Sequence, residues 1–142
     1  MRRADHRAEG RAGRGRTLAG TVAALLLLLC GAAVRAAPDT AHGAQVYQRC
    51  LACHALAYDR VGPRHCGLFG RRAGSVPGFA YSPAMQKSKI VWDDKSLDLF
   101  LANPMKDVPG TAMTYDGVTN PTDRSDLIAY LKQANRSAEC GH

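Results

Sequence analysis

Three things are missing from this sequence: a strand-length run of alternating apolar and polar residues, an internal repeat, and, past residue 36, any concentration of basic side chains. Without strands the sandwich, barrel and α/β architectures are excluded, which leaves an all-α domain. The formal charge of +7 suggests a nucleic-acid partner only until it is located. Residues 1–36 hold seven arginines against two acidic residues, while residues 37–142 hold twelve basic and ten acidic side chains. The dense basic face that nucleic-acid binding needs is absent.

Long apolar runs are equally scarce. The only one covers residues 18–34 around Leu25 to Leu29, with six arginines before it and Val34-Arg35-Ala36 after it. A basic segment, an apolar core and a small-residue cleavage site make a signal peptide, so residues 1–36 are expected to be removed after Ala36 and the chain exported to the periplasm. An uncleaved membrane anchor is the alternative. Cys30 follows Leu29 rather than a small residue, which argues against a lipoprotein, and Arg2-Arg3 makes no twin-arginine signal. Residues 37–142 then form one small domain.

What is present is Cys50-Leu51-Ala52-Cys53-His54. Two thiols one helical turn apart can add to the two vinyl groups of a haem, with the adjoining imidazole held against the iron. A redox C-x-x-C would call for a preceding strand in a βαβ setting. Zinc would need a fourth ligand besides Cys50, Cys53 and His54, for which Cys66 is a candidate, and adjacent Cys and His side chains rarely close one tetrahedron. Covalent attachment of one haem c is the simplest account. In an oxidising compartment the remaining pair, Cys66 and Cys140, is a disulfide candidate, with two free thiols as the alternative.

Thr40 is a candidate cap for a first helix with apolar positions Gly43, Val46, Tyr47, Cys50 and Leu51, so that the Cys-Cys-His motif ends a helix. Residues 59–78 are rich in glycine and proline and read as a long ordered loop, which gains a role if it wraps a large apolar ligand. Ser82-Pro83 starts a short helix; Asp94, Leu97, Phe100 and Leu101 outline another, stopped by Asn103-Pro104. In the last helix Asn120 caps, Pro121 takes the first turn, and Leu127, Ile128, Tyr130, Leu131 and Ala134 form the apolar face. Candidates for a second axial ligand are Met85, Met105, Met113, His42, His65 and His142. Met113 stands out because Pro109-Gly110-Thr111-Ala112 makes a tight turn before it.

From about Gly43 to Leu131 the chain resembles the class I cytochromes c of the small soluble mitochondrial and bacterial type. The likeness rests on Gly43 and Tyr47 before the Cys-Cys-His motif, Gly62-Pro63, Gly70-Arg71, Pro77-Gly78-Phe79 with Tyr81-Ser82, Trp92, Pro109-Gly110-Thr111 with Met113, and Asp126-Leu127-Ile128-Ala129-Tyr130-Leu131. The resemblance implies three to five short helices and long loops around one haem c, with His54 and Met113 on the iron. It implies that the Pro63 carbonyl accepts from the free N–H of His54, that Arg71, Tyr81, Trp92 and Thr111 hold the haem propionates, and that Gly43 and Tyr47 face Leu127 and Tyr130. The function it implies is one-electron transfer by a monomer, with a quinol-cytochrome c oxidoreductase and a terminal oxidase as the family's usual partners and a dedicated dehydrogenase or a photosynthetic centre as alternatives that fit equally well. A haem enzyme or gas-binding protein is the alternative, and it requires an open iron face that Met113 would close.

The departures from the family matter as well. Phe100 stands where a tyrosine often bonds the methionine sulfur, and Met85 where an asparagine often joins a buried water network. Both changes dry the pocket and point to a high reduction potential. Ala112 and Met105 occupy positions near the haem edge where relatives carry lysines, so docking is expected to lean on apolar contact around Ala112, Met105 and Tyr115.

Overall fold

The computed structural model describes residues 36–141. Residues 1–35, which hold nearly all of the expected leader, lie outside that range, as does His142. Among the described residues five α-helices run in order: α1 Thr40–Tyr47, α2 Pro83–Lys87, α3 Asp94–Ala102, α4 Pro104–Asp107 and α5 Pro121–Ala134. Tight 3₁₀ turns cover Gln48–Cys50 and Ala138–Cys140. The described residues contain a single antiparallel bridge, Arg72 to Val91, and no helix long and apolar enough to cross a membrane.

Side-chain caps decide where the helices begin. Asp39, not Thr40, caps α1, because its carboxylate accepts the N–H groups of both Ala41 and His42. Ser82 caps α2 through the Met85 N–H, and Asp93 and Ser96 form a reciprocal capping box on α3. Asn103 ends α3 and also starts α4, its side chain accepting from the Lys106 N–H at 3.0 Å. Asn103-Pro104 is therefore a corner between two helices as well as a stop. Asn120 caps α5 through Thr122 and Asp123, with Pro121 where a missing N–H costs nothing.

The helices share one core. Leu127 of α5 is fully buried and Val46 of α1 is 1% exposed, and Trp92, Leu97, Phe100, Leu101, Ile128 and Leu131 pack around them. Helices α1 and α5 cross closely at Gly43, where a Cβ atom would overlap the backbone carbonyl of Asp126 and come within 2.8 Å of the Tyr130 Cβ. The Tyr47 and Tyr130 rings meet beside the crossing with centroids 5.2 Å apart. Helix α3 is tied to α5 by Asp98 with Arg124 and by Asp94 with Lys132. A disulfide joins Cys66 to Cys140 across 74 residues, their Cα atoms 5.2 Å apart, and nearby the Asn135 side chain accepts from the Leu68 N–H at 2.9 Å. These links hold the long loop against the C-terminal end of the chain.

A charged clasp closes the start of α1 onto α5. His42 Nδ1 donates to Asp126 Oδ2 at 2.8 Å, and Asp126 Oδ1 accepts the Asp39 N–H at 2.8 Å. The bond to Asp126 raises the His42 pKa above 6.5, with Asp123, Asp126 and Asp39 adding to it, while the same bond lowers Asp126 below 3.8. A raised histidine contributes stability that is complete below pH 6.5 and lost as pH climbs through its folded pKa; a lowered aspartate contributes stability present above pH 3.8 and lost below it. His42→Gln is therefore expected to destabilise most between about pH 4 and 6.5, with the gap to the parent protein narrowing by pH 9. Thermal unfolding of both proteins at pH 5 and pH 9 measures it, and a gap equal at the two values refutes it.

Candidate functional site

The residues that sequence singled out come from six separate stretches, and the fold brings them to one cavity of about 410 Å³. Cys50, Cys53, His54, Pro63, Arg71, Tyr81, Trp92, Thr111 and Met113 all line it. The turn after α1 presents the first three: the N–H groups of Cys53 and His54 both bond to the Cys50 carbonyl, at 3.1 and 2.9 Å. The backbone thereby stays wound through the motif after α1 ends at Tyr47. Leu68, Phe79, Met85, Leu97, Phe100 and Leu127 give the cavity a mainly apolar wall.

His54 is held at a defined angle. Its Nδ1 lies 2.8 Å from the Pro63 carbonyl, which can only accept, so Nδ1 carries the proton and Nε2 keeps its lone pair. Burial lowers the His54 pKa against the opposing effect of Pro63, which keeps the ring neutral at pH 7. Gly62 packs directly on the imidazole; a Cβ there would come within 2.6 Å of Nδ1. Such a ring is a ready metal ligand with its second nitrogen already satisfied.

The other sequence candidates for an axial ligand separate cleanly. Met105 is 44% exposed and takes no part in the cavity, and His42 is engaged by Asp126. His65 does line the cavity, but its ring stacks on His54 with centroids 4.4 Å apart and planes 19° apart. Met85 and Met113 are left as the thioethers that line it. Met113 follows the Gly110 turn, where φ is +89°, and its N–H bonds to Thr111 Oγ1 at 3.2 Å. Met85 belongs to the buried face of α2.

Arg71, Tyr81, Trp92 and Thr111, expected as propionate donors, line the same cavity. The Arg71 guanidinium donates to the Cys66 carbonyl at 3.0 Å and the Arg64 carbonyl at 2.9 Å, which uses two of its five N–H groups and fixes the direction of the rest. Thr111 Oγ1 accepts from Met113 and keeps its own proton to donate. Trp92 is buried with its ring 5.1 Å from Phe100, and Tyr81 packs edge-on against Phe79 at 4.7 Å.

Sequence reasoning overlooked the link from Tyr47 to His65, whose hydroxyl and Nδ1 are 3.0 Å apart. It took His65 only as a rival for the iron. Tyr47 and His65 lie 18 residues apart on different segments, and no local spacing announces the pair.

Other uses of the thiols fit poorly. Burial pushes the Cys50 thiol up to about 11, opposite to the lowered value a redox-active C-x-x-C requires. Among the described residues no cluster of three or more His, Cys, Asp and Glu side chains could hold a metal ion, which argues against zinc. Two free thiols, a neutral imidazole and thioether sulfur around an apolar cleft do fit a covalently bound haem.

Comparison with known proteins agrees. The family model described as cytochrome c matches residues 40–135. The chain is 43% identical over 114 residues to cytochrome c2 of Blastochloris viridis, a match covering 78% of this chain and 90% of that one. It is 45% identical over 107 residues to cytochrome c2 of Rhodomicrobium vannielii, covering 73% and 86%. Among solved structures, cytochrome cH from Methylobacterium extorquens is similar with a TM-score of 0.65 and 42% identity, over 67% of this chain and 98% of that one. With Cys50, Cys53 and His54 at the C-x-x-C-H position of a family that binds haem c covalently, this chain belongs to the cytochrome c family of monohaem electron carriers.

Proposed function

We propose that the chain is an exported one-electron shuttle with His54 and Met113 as the axial ligands of a haem c carried on Cys50 and Cys53. The observation that carries this reading is the gathering of both thiols, the oriented imidazole and the Met113 thioether on one cavity. Haem c supplies a one-electron iron couple when bound. The chain's own residues do the rest. Pro63 fixes the His54 tautomer, and the neutral, soft Met113 sulfur favours the reduced state. Phe100, 6% exposed, and Met85, 8% exposed, keep the wall dry, which disfavours the extra charge of the oxidised state and places the potential high in the family range. Arg71, Tyr81, Trp92 and Thr111 serve as hydrogen-bond donors to the propionates.

In this reading residues 1–36 are cleaved after Ala36 and the carrier works as a monomer in the periplasm, between a quinol-cytochrome c oxidoreductase and a terminal oxidase. Mass spectrometry of the exported protein, made alongside a haem-attachment system, tests it. The expected mass is that of residues 37–142 plus one haem, less two hydrogens for the disulfide. A haem-free chain sinks the proposal.

Docking is proposed to be largely apolar. Val61 is 80% exposed at the cavity rim, Met105 is 44% exposed and Ala112 is exposed, while Arg49 is paired with Asp123. Raising ionic strength from low to physiological is therefore expected to change the electron-transfer rate with the partner by less than about threefold. Stopped-flow kinetics across that range decides it, and a steep decline contradicts it.

A further inference from the structure

Besides Pro63 and Gly62, the structure holds a third element that bears on the His54 ring. The His65 imidazole lies nearly parallel to it, with centroids 4.4 Å and planes 19° apart. His65 is itself anchored from two directions. Its backbone N–H bonds to the carbonyls of Ala55 and Leu56 at 3.2 and 3.0 Å, and its Nδ1 meets the Tyr47 hydroxyl at 3.0 Å. That contact fixes the ring's rotamer, with the donor and acceptor roles of the pair set by the tautomer. Tyr47 is 2% exposed and wedged in turn against Tyr130 of α5.

We propose that His65, braced by Tyr47, is a positioning residue that sets the plane of the axial imidazole of His54. This rests on the reading of His54 as an iron ligand and goes beyond it. A single hydrogen bond from His54 Nδ1 to a carbonyl restrains tilt but leaves the ring some freedom to rotate about its iron-facing axis; a parallel aromatic face removes it. Here two partly buried polar groups, the Tyr47 hydroxyl and the His65 nitrogen, satisfy each other, and the outcome is one fixed ring face against the ligand. The crossing of α1 and α5 thus reaches His54 through three side chains: Tyr130, Tyr47 and His65.

The imidazole plane governs the magnetic anisotropy of low-spin ferric iron, so its direction can be read without any activity assay. Proton NMR of the four haem methyl groups and low-temperature EPR g-values are to be recorded on ferric holoprotein, for the parent chain and for His65→Leu, His65→Phe and Tyr47→Phe. His65→Leu fills the space without a flat face and is expected to displace the methyl pattern and the largest g-value most. Tyr47→Phe, which removes only the brace, is expected to move them the same way by less. His65→Phe keeps a flat ring and is expected to lie nearer the parent than His65→Leu does.

The proposal is overturned if His65→Leu superimposes on the parent whatever its melting temperature, or if His65→Phe is displaced as far as His65→Leu. Should His65→Leu fail to fold, Tyr47→Phe decides, and a pattern identical to the parent's counts against the brace. A parent protein lacking any low-spin, nitrogen-ligated signal instead refutes the reading of His54 as a ligand.

Discussion

Met113→Ala holoprotein is expected to bind carbon monoxide in its ferrous form, which the parent chain is not, and to show a reduction potential lower by on the order of 0.2 V. The reasoning is local. Met113 sits on a loop rather than a helix, its N–H is tethered to Thr111, and it lines the cavity that holds His54. Removing its sulfur leaves no second thioether on that loop, and in the proposed reading it also removes a neutral ligand that favours ferrous iron. Met85→Ala is the paired control, because Met85 lines the same cavity from the buried face of α2. That variant is expected to keep the iron closed and to lose packing energy instead, about 2–4 kcal/mol for a buried methionine. If Met85→Ala opens the iron and Met113→Ala does not, the ligand assignment must be exchanged. If the parent chain itself takes up carbon monoxide readily, the reading as a dedicated electron carrier gives way to a gas-binding or catalytic one.

The second large effect concerns the disulfide. Cys66→Ala with Cys140→Ala is expected to cost about 4 kcal/mol, the chain-entropy value for releasing a closed loop of about 75 residues. For a domain of roughly a hundred residues that corresponds to a melting temperature lower by about 20 °C. The crosslink joins the glycine-rich loop to the end of the chain beside the Asn135 to Leu68 hydrogen bond, so its loss frees two segments at once. Thermal denaturation of both holoproteins, each with its haem attached, measures the difference. A change below about 1 kcal/mol means that the haem and the α1 to α5 crossing already constrain the unfolded chain as tightly as the disulfide does.

Helix α5 was legible because its start is written in local chemistry: Asn120 and Pro121 can satisfy or dispense with the first N–H groups whatever lies elsewhere. The start of α1 was placed one residue late for the converse reason. Asp39 and Thr40 are both good caps, and choosing between them depends on Asp39 also donating its N–H to Asp126, 87 residues away. Pro104 was read as an end because proline disrupts the helix before it; that Asn103 would turn its side chain onto Lys106 and begin another helix is a matter of backbone angle. Cys50, Cys53 and His54 were legible from their own spacing, Met113 from its turn together with the family resemblance, and Pro63, Arg71, Tyr81, Trp92 and Thr111 only through that resemblance; all nine line one cavity. What spacing did not carry was the environment of His65, since a buried histidine is stable only where another segment delivers a partner, and Tyr47 comes from α1.

The close approach at Gly43 has a consequence for biogenesis. The helix that α1 needs as its partner is synthesised only after the intervening loops and helices α2 to α4, and α1 buries little by itself. Until residues beyond about 120 have been made, the thiols that follow α1 have no α5 to fold against. Late pairing of α1 with α5 thus leaves an interval for haem attachment before the pocket shuts.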